Sequence, residues 1–228
     1  MFSHKELAKY AATTEVKRVL ATVERSIGKK SGSVLAVTSA APGEGKSLTA
    51  ISLAISALKS HRSYAKVLVM DLNWHNPSIH QPFGAGLEGE RSQVDGLIDL
   101  TLRTSDDRLN ILIPDKGVIR ASTGYDNAFS FALEMIAAAR EEYSLTIVDT
   151  RSIFPPSKEM RIDPVKVCSA ADFSLVVALA AVTSRHEVQR ALKLLKTDGI
   201  DNLGVVLNQW RNPIFSNDAK SQEREVAA

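Results

Sequence analysis

The run Ser33-Val34-Leu35-Ala36-Val37-Thr38 leads through Ser39-Ala40-Ala41 into Pro42-Gly43-Glu44-Gly45-Lys46-Ser47, and then into a helix-forming segment from Lys46 to Leu58. No other feature of the chain constrains its fold as tightly. An apolar, β-rich run that turns through two glycines straight into a helix is a βα unit whose helix N-terminus faces the turn. Gly43 and Gly45 allow backbone bends in which amide N–H groups converge on an anion. Lys46 supplies a cation, and Ser47 a hydroxyl for a divalent metal ion. The spacing is that of a phosphate-binding loop, with Ala40 where the strict pattern has Gly.

Further apolar runs repeat the theme. Lys66–Asp71, Leu109–Ile113, Leu145–Asp149, Phe173–Leu179 and Leu203–Leu207 read as strands, giving six with the first. Glu15–Ile27, Ala128–Glu142 and Ser184–Lys196 read as helices, the first with Val16, Val19, Leu20, Val23 and Ile27 on one stripe and Gly28 as a stop. Strands that are apolar almost throughout are buried on both faces, as in a parallel sheet covered by helices. The expected fold is therefore a doubly wound α/β domain with a mostly parallel sheet, its site beyond the carboxyl ends of the strands. Residues 15–212 form this domain, 1–14 a weakly patterned N-terminal extension, and 213–228 a polar C-terminal tail.

Two of the strands end in carboxylates, Asp71 and Asp149. A Mg²⁺–nucleotide site needs such acids near the metal, directly or through water. Either residue alone reads equally as a turn or helix cap; downstream of a phosphate loop they read as metal-site acids.

Composition narrows the function. The 228 residues carry 28 Lys+Arg against 26 Asp+Glu, a net +2, so bulk charge argues against nucleic acid as a partner. The single cysteine, Cys168, excludes an internal disulfide framework and fits a buried, inert helix position. The apolar run Phe173–Val182 is about half of the ~20 residues a membrane-spanning helix needs. No apolar leader core follows Met1–Lys5, so the expectation is a cytoplasmic protein without direct membrane insertion.

Five segments in order carry a resemblance: Ser39–Ser47, VLVMDLNWHNPSIHQPFG (67–84), GLIDL (96–100), TIVDT (146–150) and GVVLNQW (204–210). The chain resembles the cytoplasmic domain of bacterial tyrosine kinases (BY-kinases) of capsule and exopolysaccharide synthesis, within the ParA/MinD-like P-loop ATPases. The resemblance implies ATP and Mg²⁺ as cofactors. It implies nucleotide contacts from Pro42, Gly43, Glu44, Gly45, Lys46, Ser47 and Leu48, with adenine read by Asn208. It assigns Ser47, Asp71 and Asp149 to the metal, and Lys46, Asp71 and Asp149 to catalysis. Glu15 and Arg18 match the start of a helix through which family members assemble into ATP-dependent homo-oligomers. The implied partner is a membrane polysaccharide co-polymerase (Wzz-like) subunit that recruits the domain to the inner face of the cell membrane.

The chain also departs from the family pattern. Where the second motif reads Asp-x-Asp-x-Arg, this sequence has Asp71-Leu72-Asn73-Trp74-His75. An amide at position 73 cannot take a proton as a carboxylate can. Ala21 stands where the oligomerisation helix has its last Arg. Arg151-Ser152 stand where the family often has a Pro pair, with Pro155-Pro156 coming later. Residues 216–228 contain no tyrosine; the four in the chain are Tyr10, Tyr64, Tyr125 and Tyr143. Two other functions therefore stand beside the kinase: a degenerate ATP-dependent switch, and a ParA/MinD-type positioning ATPase. The absence of the additional early loop Lys argues against the latter. Trp74 and His75 face the site or pack in a loop. Asp172 reads as a turn residue, Arg211 as solvated, and His61, His80 and His186 as surface or core polar groups. The stripe of residues 16–27 serves the core or a subunit contact.

Overall fold

The computed structural model describes residues 4–62, 64–74, 77–83, 101–113, 125–154 and 162–209. A seven-stranded sheet runs through them in the order β3-β4-β2-β5-β1-β6-β7. The strands are β1 Ser33–Ser39, β2 Val67–Asp71, β3 Thr101–Arg103, β4 Leu109–Leu112, β5 Leu145–Asp149, β6 Phe173–Leu179 and β7 Asn202–Asn208. Neighbours pair in parallel except β3 with β4, which is antiparallel. The six expected strands are all present, within a residue or two at each end. The addition is β3, whose Thr101-Leu102-Arg103 is too short to show a period.

Helices cover both faces. They are α1 His4–Ala11, α2 Thr14–Ile27, α3 Lys46–Leu58, α4 Tyr125–Glu142, α5 Pro164–Ala170 and α6 Arg185–Thr197. Because side chains alternate along a strand, Leu35 and Val37 of β1 join one core with α1, α2 and α3. Val34 faces the opposite way with α4, and Ala36 with α5 and α6. On α2, Val16, Leu20, Val23 and Ile27 are buried in this core, so the stripe is a core face within the chain. Glu15 and Arg18 point outward and are exposed.

The sequence pattern makes residues 1–14 an extension, but in the structure α1 buries Leu7 and Ala11 in the same core as α2 and α3. With apolar residues at Leu7, Ala8, Tyr10 and Ala11 alone, two turns are too few to show a periodic stripe. The loop 12–13 then caps α2, where the Thr13 hydroxyl accepts from the Val16 N–H. Helix α5, which carries Cys168 at the buried helix position expected for it, starts on Asp163 as N-cap with Pro164 in its first turn. Cys168 lies buried on it, and burial pushes its thiol up to about 12, which makes it inert.

The amino-terminal edge of the sheet is tied by Asp172, just ahead of β6. Its carboxylate accepts the Val34 N–H at 2.8 Å, an Arg140 N–H at 2.5 Å and the Lys30 ammonium. Arg140 also donates to the carbonyls of Gly32 at 3.2 Å and Ala170 at 3.0 Å. Asp172 is thus a structural turn residue, at the opposite edge from the phosphate loop. Burial works to raise its carboxyl, but the bonds from Lys30, Val34 and Arg140 outweigh it and hold it below its usual range. A depressed carboxyl stabilises the fold above the unfolded pKa of about 3.9, and that contribution is lost as pH falls through the folded value. Asp172→Asn is expected to cost about 1–2 kcal/mol at pH 7 after allowance for the exposed Lys30. In thermal melts from pH 7 to pH 3 the wild-type and variant curves should converge below about pH 4; a constant gap would count against this account.

Candidate functional site

The register places the polar ends of three strands side by side. Asp71 of β2 and Asp149 of β5 are partners across a parallel pair, and Asp149 is also paired with Val37 of β1. Parallel partners share a face, so both carboxylates lie beside the loop that leaves β1. Both are buried, at 0% and 1% exposure.

The loop turns through Gly43 at φ 78° and Gly45 at φ 94°, conformations that side chains disfavour. A Cβ on Gly45 would also run into the amide of Asn208. Gly45 is the N-cap of α3 and offers it no side-chain hydrogen bond. The first-turn N–H groups of α3, with the positive end of its dipole, are thereby left to a ligand. Such a terminus is an anion site by construction.

Lys46 folds back along the loop. Its ammonium donates to Ser39 Oγ at 2.9 Å, and the Ser39 hydroxyl donates to the Ala41 carbonyl at 2.7 Å. Burial lowers the Lys46 pKa, opposed by the nearby Asp149 and Glu44. The Ser47 hydroxyl donates to Asp149 Oδ2 at 2.5 Å and accepts from the Ser78 hydroxyl at 3.1 Å. Asp71 is held by three backbone N–H groups: Asn73 on Oδ1 at 2.9 Å, and Ser78 and Ile79 on Oδ2 at 2.9 and 3.3 Å.

Two buried carboxylates in adjacent register repel each other and lose hydration. Burial first, then the Asp71 charge, raises the Asp149 carboxyl well above its usual range, while Ser47 and Lys46 oppose the shift. Burial likewise raises Asp71, against its three N–H donors. Asp149 Oδ1 is buried with no hydrogen-bond partner among the described residues. An orphaned carboxylate oxygen beside a serine hydroxyl and a second acid is what a hard cation with oxygen ligands requires. The set fits Mg²⁺, which takes one or two protein oxygens and completes its shell with water and phosphate.

The site residues foreseen from the sequence do not all act alike. Lys46, Ser47, Asp71, Asp149 and the Gly43–Gly45 turn converge. Pro42 and Gly43 form the exposed crown of the loop. Leu48 is a core side chain, so only its backbone is available to a phosphate. Glu44 turns its carboxylate inward, where it is 2% exposed. Asn208, at the end of β7, is buried against the loop and donates to the Glu44 carbonyl at 3.0 Å. Trp74 packs in the core beside Phe131, with ring centroids 6.0 Å apart. His75, Pro155, Pro156, Arg211 and the tail lie outside the described residues. His80 is buried, while His61 and His186 are exposed. Ser39, Ser78 and Thr183 join the site without a sequence signal of their own. Ser39 and Ser78 lie inside the motif segments, where a serine is unremarked; Thr183 reaches the loop only through the fold.

Phosphate loop, sheet order and paired acids define a doubly wound P-loop domain of the ParA/MinD-like fold. No protein-family model matches the chain. The tyrosine-protein kinase CpsD of Streptococcus agalactiae is 29% identical over 185 residues, covering 79% of this chain and 76% of the relative. The kinase domain of Escherichia coli tyrosine kinase ETK has the same fold, with a TM-score of 0.67 at 20% identity, covering 88% of this chain and 78% of that one. The ATP complex of a Cyanothece McdA variant gives a TM-score of 0.58 at 21% identity, covering 87% of this chain and 80% of that one. The resemblance to bacterial tyrosine kinases read from the motifs is borne out by these relatives.

Burying two like charges costs stability that a bound cation offsets. Asp149→Asn keeps an acceptor for the Ser47 hydroxyl and removes one charge. It should raise the melting temperature of the ligand-free protein at pH 7.5 by a few degrees, while abolishing any Mg²⁺-dependent rise seen with the wild type. A lower melting temperature in ligand-free buffer would contradict the repulsion.

Proposed function

We propose that this chain binds Mg²⁺–ATP and acts as a BY-kinase-like enzyme in the control of exopolysaccharide or capsule synthesis or export. The observation that carries the reading is the convergence of Lys46, Ser47, Asp71 and Asp149 on one uncapped helix N-terminus. When bound, Mg²⁺ would draw charge from the phosphoryl group in transfer. Ser47 and Asp149 would hold the metal, Asp149 through the oxygen that now lacks a partner, with Asp71 beside them. Lys46 would release Ser39 and neutralise phosphate charge. Loop N–H groups would orient the phosphates, and Asn208 would set the loop against the base.

Position 73 bears on the transfer step. Its backbone N–H holds Asp71, but its side chain is an amide and accepts no proton. Asp71 is then the acid best placed to take the acceptor hydroxyl's proton, and its raised pKa suits that work. Tyr64 and Tyr143 are buried, at 3% and 4% exposure, and so are poor acceptors in the folded protein. Acceptor tyrosines would lie elsewhere on the chain or on a partner. Asn73 and these buried rings favour a second reading, an ATP-driven switch that does not phosphorylate tyrosine.

Among the described residues no helix is long and apolar enough to cross a membrane. A Wzz-like co-polymerase subunit would supply the membrane contact at the inner face of the cell membrane. The exposed Glu15 and Arg18 of α2 would serve ATP-dependent self-association.

The test incubates purified protein with Mg²⁺–ATP, followed by nucleotide-binding titration and phosphosite mass spectrometry. Phosphotyrosine is expected in the wild type. Lys46→Met should lower ATP turnover by roughly 100-fold and remove the phosphotyrosine. Asn73→Asp, by restoring a second acid, should increase phosphotyrosine formation. Bound ATP without phosphoprotein in either wild type or Asn73→Asp would favour the switch. Absence of Mg²⁺-dependent nucleotide binding would overturn both readings.

A further inference from the structure

Glu44 lies between the two glycines of the phosphate loop, yet its side chain does not face the phosphate space. A carboxylate aimed at a phosphate would repel it. Instead the group is buried, and a buried charge persists only when its oxygens are paired. Oε2 accepts the Ala41 N–H at 2.9 Å, across the loop's own turn. Oε1 accepts the Thr183 hydroxyl, 139 residues further along the chain.

Thr183 belongs to the turn between β6 and α6. Its hydroxyl oxygen accepts the Leu179 N–H at 2.8 Å, and its own N–H donates to the Leu179 carbonyl at 2.9 Å. Within that turn Ala181 is the one described non-glycine residue at positive φ, 59°. Ala180 donates its N–H to the Asn208 carbonyl at 2.9 Å, and the Asn208 amide donates to the Glu44 carbonyl at 3.0 Å. The circuit closes: loop to turn through Glu44 and Thr183, turn to β7 through Ala180, and β7 back to loop through Asn208.

We propose that Glu44 and Thr183 are a positioning pair, which presets the phosphate loop and makes nucleotide affinity depend on the β6–α6 turn. This rests on the nucleotide-binding reading above and goes beyond it, since Thr183 has no part in holding phosphate. The pair fixes Ala41 before the ligand arrives, so the loop N–H groups need no ordering on binding. The strained turn is held in place by the same contact that shapes the loop.

The experiment measures three variants of the full chain. Thr183→Val keeps the shape and removes the hydroxyl; Thr183→Ser keeps the hydroxyl; Glu44→Ala removes the acceptor. Equilibrium binding of a fluorescent ATP analogue with Mg²⁺ is read beside amide exchange at Ala41 in nucleotide-free protein and the melting temperature. Thr183→Val should weaken binding about tenfold and speed exchange at Ala41, while Thr183→Ser stays within about twofold of the wild type. Combining Thr183→Val with Glu44→Ala should weaken binding no further than Glu44→Ala alone. Unchanged affinity and exchange in a folded Thr183→Val protein would overturn the pairing, as would equal loss in Thr183→Ser or strictly additive effects in the double variant. If wild type binds no nucleotide, the nucleotide reading fails, and Ala41 exchange still decides whether the clamp exists.

Discussion

The burial of Asp71 and Asp149 side by side is the constraint on which the site depends. Parallel register sets the two carboxylates beside each other at the carboxyl ends of β2 and β5, both out of contact with water. A fold relieves such a conflict with donors, with protons or with a cation. Here the donors are unevenly shared. Asp71 receives three backbone N–H groups, whereas Asp149 receives the Ser47 hydroxyl on one oxygen. The imbalance leaves the other oxygen of Asp149 for a ligand. It lies where a helix N-terminus and Lys46 present positive potential to an anion. A cation and a phosphate ester together satisfy what neither the acids nor the loop can satisfy alone.

The rest of the fold supports this arrangement. Helix α3 is buried almost along its whole length, and its many Ala and Ser residues let it lie close against the sheet. Close packing fixes where its first turn points. At the far edge, Asp172 and Arg140 fasten β1 to the segments on either side of it. The strand that delivers the phosphate loop is thus anchored at its start by ionic contacts and along its length by apolar burial.

The sheet is legible in the sequence because its strands are buried on both faces, and continuous apolar runs such as Val67–Met70 suit little else. The phosphate loop is legible because two glycines, a lysine and a serine at fixed spacing have one common use. Helix α1 and strand β3 are not, since their few residues carry too little pattern. Glu44 and Leu48 are legible only in part. A motif gives the order of residues along the loop but not which side chains turn inward, and both of these turn toward the protein. Thr183 is beyond the reach of the sequence, because its place beside Glu44 is set by sheet order.

Under the proposed function, Asn73 would separate binding from transfer. Its contribution to the cradle is a backbone N–H, which any residue except proline supplies, so exchanging acid for amide leaves Asp71 held as before. The Ser47 and Asp149 oxygens proposed for the metal belong to other elements and do not depend on residue 73. What the exchange removes is the carboxylate proton acceptor that the family resemblance implies at this position. Asp71 keeps a raised pKa but spends both oxygens on N–H donors, so it can accept a proton only by weakening one of those bonds. Under the proposed function, a chain built this way would keep the phosphate loop, Lys46 and the paired acids for nucleotide association and would meet a higher barrier in the chemical step. On that proposal, the ratio of bound nucleotide to phosphoryl transfer would therefore be governed at position 73, outside the loop proposed to hold the phosphates.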